Sequence, residues 1–114
     1  MNYPQLDIYL KKIEENAVKL KEQLAEKNIQ LTAVVKGFAG DLKIFKAYQK
    51  AGIKSIADSR IENIIKYREA GYQGEVMMLR IPMISEIEEI VPQIDLSLIT
   101  EAKTAELISQ AAEA

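Results

Sequence analysis

The chain has 114 residues, 48% of them hydrophobic, and its 15 basic side chains nearly balance 17 acidic ones for a net charge of -2. That balance leaves no electrostatic footprint for nucleic acid, and no apolar run approaches the ~20 residues that span a bilayer. The chain has no His and no Cys, which excludes disulfides and thiolate metal sites and removes the commonest general base and thiol nucleophile.

The opening, Met1-Asn2-Tyr3-Pro4-Gln5, does not read as a secretion signal. With the absence of Cys it is compatible with a reducing cytosol, and a cytoplasmic location is expected. Leu6-Asp7-Ile8-Tyr9 is expected as a short strand. Residues 10–27 then read as an amphipathic helix, because Leu10, Ile13, Ala17, Leu20 and Leu24 recur at steps of three and four. Its other face carries Lys11, Lys12, Glu15, Lys19, Glu22 and Glu26, a mixture of signs that reads as a solvated surface.

From residue 31 short apolar runs alternate with helical patterns. Strands are expected at 31–36, 55–58, 75–80 and 96–100. Asp41 is placed to cap a helix running to about Lys50. Ser59-Arg60-Ile61-Glu62 and Ser85-Glu86-Ile87-Glu88 both fit a capping box, and Thr100 is placed to cap a last helix. Two helices are expected to close on Ala51-Gly52 and Ala70-Gly71, where glycine supplies the left-handed turn. Tyr48-Gln49-Lys50-Ala51-Gly52 and Tyr67-Arg68-Glu69-Ala70-Gly71 form a weak internal repeat.

Strands alternating with helices imply an α/β fold with parallel strands and right-handed crossovers. Lys36, Asp58, Arg80 and Thr100 close the four strands, at spacings of 22, 22 and 20 residues. They would share the rim on which such folds place their ligands. An open sheet with helices on both faces and part of a (β/α)8 barrel both fit. The unchanging rhythm favours the barrel, of which about 250 residues would be needed and about half is expected here. The pattern runs to Ala111-Ala112-Glu113-Ala114 without a helix stop signal. The expectation is a single partial domain over residues 1–114, truncated from a longer protein, whose two unpaired sheet edges favour self-association.

Lys36 is the best-placed amine. Strand alternation sets Thr32, Val34 and Lys36 on one face and Ala33 and Val35 on the other. Apolar neighbours below it would leave the amine partly desolvated and available to form an imine with an aldehyde; the plainer reading is a strand-end lysine with its head in water. Gly37-Phe38-Ala39-Gly40-Asp41 could cradle a phosphate, but it lacks the P-loop ending and the dinucleotide spacing, and a simple turn accounts for it. Arg80 could hold a carboxylate or a cofactor oxygen through its planar fork, or pair with Asp58. No metal-ligand spacing and no carboxylate pair for glycoside chemistry stands out.

In order along the chain, these motifs resemble the N-terminal barrel domain of the alanine racemase family, the barrel-type pyridoxal-phosphate (PLP) enzymes. Leu6-Asp7-Ile8 and the helix bearing Asn16 are similar to the family's opening, and Ala33-Val34-Val35-Lys36 to its Ala-Val-Val-Lys strand. Glu62-Asn63-Ile64-Ile65-Lys66-Tyr67-Arg68-Glu69-Ala70-Gly71 is similar to its Glu-Ala-Leu-x-Leu-Arg-x-Ala-Gly unit, and Val76-Met77-Met78-Leu79 fits its third strand. Ser-Ile-Ala-Asp-Ser-Arg-Ile-Glu-Asn-Ile and Leu-Arg-Ile-Pro look more like the branch that includes ornithine racemases. The fold implied is the N-terminal half of a (β/α)8 barrel, about four parallel strands each followed by a helix, behind an N-terminal amphipathic helix.

The resemblance implies a PLP-dependent amino-acid racemase. Lys36 would hold PLP as an internal aldimine and serve as one of two bases at the substrate α-carbon, with the cofactor as electron sink. Leu79 would pack near the cofactor, and Arg80 is the candidate for substrate. The implied partners are a small amino-acid substrate and another copy of the chain, not nucleic acid or membrane. Alanine racemases usually carry a tyrosine four residues after the lysine; Gly40 stands there, which implies a roomier or differently contacted pocket. The phosphate loops, the pyridine-nitrogen arginine and the second base of the family lie in later sequence, so these residues alone are expected to be inactive. Two other readings are a PLP-binding carrier of the same barrel fold, and a small phosphate-binding module in which Lys36 is a bystander.

Overall fold

The computed structural model describes residues 3–114. Helix α1 (Leu10–Ala25) precedes strand β1 (Ala33–Val34), followed by α2 (Leu42–Lys50), β2 (Ser55–Asp58), α3 (Ile61–Glu69), β3 (Glu75–Met78), a short α4 (Ile87–Ile90), β4 (Leu96–Ser97) and α5 (Ala102–Glu113). Strand order is β1-β2-β3-β4, all parallel, so each strand pairs with its sequence neighbours. A doubly wound sheet would reverse direction and set a later strand on the far side of the first. An unreversed order is that of a barrel wall, as the even spacing of strand ends implied.

The wall buries one face. Ala33, Val35, Ile56, Val76 and Met78 pack under the helices with Phe45, Ile61, Ile64, Tyr67 and Ile90. Phe45 is fully buried, stacks on Tyr67 with centroids 4.3 Å apart and meets Tyr72 edge-on at 5.3 Å. Burial of a side chain of this size contributes roughly 1.5–3 kcal/mol. The opposite face is open: Val34 is 54% exposed, Leu96 44% and Leu98 49%.

The repeat ending in Ala-Gly has a structural meaning. Ile53 N donates to Tyr48 O, and Tyr72 N to Tyr67 O, the same backward bond across the end of each helix. Gly52 and Gly71 carry the positive φ this turn requires, 81° and 96°. Asp41 caps α2 as expected, its Oδ1 accepting from Lys43 N at 2.9 Å and Ile44 N at 3.3 Å.

Several local expectations are corrected. Residues 6–9 form no strand; Leu6 is 84% exposed and Tyr9 60%, with no neighbouring strand to take their backbone groups. Strands β1, β3 and β4 are shorter than expected, the two edge strands most so, because each has only one neighbour to pair with. Ser59 does not cap α3: Asp58 Oδ1 accepts from Arg60 N at 3.0 Å. Ser85 does not cap α4, because it lies inside a 3-10 turn, Ile84–Glu86, that starts one turn earlier, where Glu86 Oε2 accepts from Met83 N at 3.1 Å. Thr100 makes no cap, because α5 begins after Glu101 without a side-chain bond. The helix expected after Ser85 breaks into α4 and a 3-10 turn, Val91–Gln93, whose Pro92 offers no N–H to continue an α-helix.

Candidate functional site

The open face of the sheet is layered by the strand register. At its base Thr32 Oγ1 and Ser55 Oγ lie 2.9 Å apart, and Ser55 Oγ donates to Glu75 Oε1 at 2.9 Å. Above them Val34, Ala57, Met77 and Leu96 stand in register across all four strands. Leu79 and Leu98 lie two residues further along their strands. Leu79 N still donates to Asp58 O at 3.0 Å, and Leu98 N to Met78 O at 3.3 Å, so the sheet continues to this level.

Lys36 lies at the same rim, where the strand turns into a 3-10 helix, Lys36–Phe38. The alternation holds: Ala33 and Val35 are buried, whereas Val34 and Lys36 are exposed. The amine makes no hydrogen bond or ion pair among the described residues. The expected partial desolvation is absent because this wall covers Lys36 from below only; a barrel encloses its rim with strands from both halves.

The loop after Lys36 is a built turn. Ala39 N donates to Lys36 O at 3.4 Å and Asp41 N to Phe38 O at 3.1 Å. Ala39 and Gly40 both take positive φ, 52° and 79°, and for alanine this costs roughly 1–2 kcal/mol. Phe38 is stacked against Tyr48 with centroids 6.0 Å apart. Two loop amides, Ala39 N and Asp41 N, are taken by these bonds, and Lys43 N and Ile44 N at the start of α2 by Asp41, so the segment is a turn and a capped helix start. Gly40 does not open a pocket: a Cβ built on it would lie 2.8 Å from Asn63 Oδ1, toward α3.

Asp58 belongs to the helix side of the rim. It is fully buried and accepts from Tyr67 OH at 3.2 Å and from Asn63 Nδ2 at 3.3 Å. Burial first, then the Asp58 charge and hydrogen bond, raises the Tyr67 phenol. Arg80 therefore does not pair with Asp58. Its Nη1 and Nη2 meet Glu86 Oε2 and Oε1 at 2.9 and 3.2 Å, and its Nε donates to Ser59 O at 3.1 Å. Those bonds hold the Glu86 carboxyl below the usual carboxylate range and raise Arg80 above its own.

The structure thus brings Lys36 and Leu79 to one rim and ties Arg80 into the loops beside them. Sequence reading missed Glu86 and Asn63. Glu86 was visible only as part of a capping motif, and its link to Arg80 needs the turn at Pro82. Among the described residues no group of three or more acidic side chains gathers as a metal site, and no helix is long and apolar enough to cross a membrane.

Residues 8–114 match the family described as "Alanine racemase, N-terminal domain". The chain is 37% identical over 110 residues to the lysine racemase of Thermotoga maritima, covering 96% of this chain and 31% of that protein. It is 31% identical over 111 residues to the ornithine racemase of Acetoanaerobium sticklandii, covering 97% of this chain and 31% of that protein. A crystal structure of alanine racemase from E. faecalis superposes with a TM-score of 0.77 at 25% identity, over 90% of this chain and 28% of that one. The chain therefore spans under a third of the length of these relatives.

Proposed function

The chain belongs to the alanine racemase family through its N-terminal domain, and from that premise we propose that it is part of a PLP-dependent amino-acid racemase. The observation that carries the reading is an exposed, unpaired lysine on the ligand rim of a parallel barrel wall. The residues present fit the cofactor: Lys36 is free to react, Leu79 stands two residues above the Met77 layer of the same face, and a Cβ at Gly37 would meet nothing within 4 Å.

When bound, the cofactor supplies an electron sink for the bond broken at the substrate α-carbon. Lys36 would hold the cofactor through its amine and, whenever that amine is free, would be one of two bases for the substrate α-proton. Leu79 would pack beside the cofactor. Arg80 serves substrate through the rim it braces, because its fork is already taken by Glu86. Residues 1–114 form one partial domain. Phosphate contacts and the second base come from outside it, so the isolated chain does not racemise amino acids. A basic amino acid is the proposed substrate, supported by the names of the lysine and ornithine racemases. The proposed setting is the cytoplasm and the proposed assembly a homo-oligomer.

The test is chemical. Mixed with PLP, the protein should develop the yellow imine absorption, and borohydride should fix the adduct on the peptide containing Lys36. Lys36→Ala should abolish that adduct; an adduct that persists would refute the assignment. Racemisation of lysine, ornithine and alanine by the full-length protein ranks the substrates, and turnover by the isolated 114 residues would overturn the claim of inactivity.

A further inference from the structure

We propose that Asn63 is a positioning residue for Lys36: braced by Asp58, it abuts Gly40 and so sets the loop that carries the lysine. This rests on the role given to Lys36 above. The loop needs a brace. Ala39 and Gly40 hold consecutive positive φ angles, and an unfavourable backbone persists only where its surroundings determine it. At one end Phe38 is stacked on Tyr48. At the other, Gly40 is buried against α3.

The contact there is close. An added Cβ on Gly40 would sit 2.8 Å from Asn63 Oδ1 and 3.3 Å from Asn63 Cγ. The amide cannot easily move aside. Asn63 is only 9% exposed, and its Nδ2 donates to both carboxylate oxygens of Asp58, at 3.5 and 3.3 Å. Asp58 is itself held by Tyr67 OH and Arg60 N. A continuous path of contacts therefore runs from the buried end of β2, through α3, into the turn that begins at Lys36. Asp58 and Asn63 are both buried, so their effect reaches chemistry through the position of the lysine.

The experiment is a cycle in the full-length protein with Gly40→Ala, Asn63→Ala and the double variant. Asn63→Ala should weaken PLP about threefold to tenfold, and Gly40→Ala should weaken it about tenfold or more. In the double variant the Gly40→Ala penalty should shrink by about threefold, because the clash has been removed. A role in stability alone would move the melting temperature and leave the PLP dissociation constant unchanged, and that result overturns the proposal; so do effects that simply add. Trypsin cleavage at Lys36-Gly37 in the cofactor-free protein reads the loop without PLP. Asn63→Ala should speed it severalfold, and an unchanged rate overturns the proposal. If the wild-type protein takes no PLP at Lys36 yet the cleavage rate responds, the reading of Lys36 fails while the brace stands.

Discussion

Arg80 and Glu86 meet end to end, two nitrogens against two oxygens at 2.9 and 3.2 Å. The same carboxylate accepts from Met83 N and the same guanidinium donates to Ser59 O. One ion pair thus joins the loop after β2 to the loop after β3, both on the rim that carries Lys36. Charge-assisted, two-pronged bonds are stronger and more directional than neutral ones, although partial exposure of Arg80 screens them.

A pH dependence follows from this pair. The hydrogen bonds from Arg80, then that from Met83 N, hold Glu86 below its usual value of 4.5. A carboxyl that is more acidic folded than unfolded stabilises the fold fully above its ordinary value. That contribution is lost as pH falls from there through the lower folded value. Melting curves taken at decreasing pH should therefore show a steeper acid-side decline for wild type than for Glu86→Gln. Parallel declines would remove Glu86 from the account. Arg80→Lys should not restore the wild-type behaviour, since an ammonium cannot present the fork.

The Asp58 cluster makes a second prediction. Tyr67→Phe keeps the ring stacked on Phe45 but removes the hydroxyl that donates to Asp58 Oδ2 at 3.2 Å. Asp58 keeps Asn63 Nδ2 and Arg60 N as donors, so the cost should be modest, about 1–2 kcal/mol. Asp58→Ala strips the partner from all three donors at once and should cost more, about 3 kcal/mol. Urea denaturation of the two variants gives the comparison. A larger loss for Tyr67→Phe would show that the hydroxyl, not the carboxylate, organises the cluster.

Arg68 is the strongest structural arginine of the chain. Its Nε donates to Gln93 O at 3.0 Å, its Nη1 to Tyr72 O and Gly74 O at 3.2 and 2.8 Å, and its Nη2 to Asp95 Oδ2 at 3.1 Å. It sews the turn after α3 to the entrance of β4, while the same Asp95 oxygen accepts from Val76 N at 2.8 Å. Arg68→Ala should destabilise by about 2–4 kcal/mol. Arg68→Lys should recover little of that, because one ammonium cannot reach three carbonyls and a carboxylate from a single position. Thermal unfolding of both variants tests this, and full recovery by lysine would refute it.

These residues mark where the sequence was legible. Lys36, the Asp41 cap and the two Ala-Gly helix ends follow local rules of strand alternation, capping and left-handed turns. The strand spacing carried the architecture, because a parallel wall must repeat its unit at nearly constant length. What local rules cannot hold are contacts closed by tertiary packing. Arg80 finds Glu86 only after the chain turns at Pro82. Gly40 read as a roomier or differently contacted pocket because it stands where the family usually carries a tyrosine, whereas a Cβ built on it would point at Asn63 on α3. The caps expected at Ser59 and Ser85 failed for different reasons: Asp58, one position before Ser59, accepts from Arg60 N, whereas Ser85 lies inside the 3-10 turn Ile84–Glu86.

The open face carries the last prediction. Strands β1 and β4 each have one unpaired edge, and beside those edges lie Val34, Leu96, Leu98 and Ile99, all at least 40% exposed. Unpaired backbone next to exposed apolar side chains is a template for further strands, and a patch of this kind is rarely left in water. The isolated 114-residue chain should therefore self-associate, with a weight-average mass by light scattering that rises with concentration. Val34→Lys places a charge on one edge and should shift the distribution toward monomer, whereas Glu113→Lys, an exposed change at the end of α5, should not. A wild-type chain that stays monomeric at high concentration would contradict an open barrel wall, since no other surface of these residues covers that face.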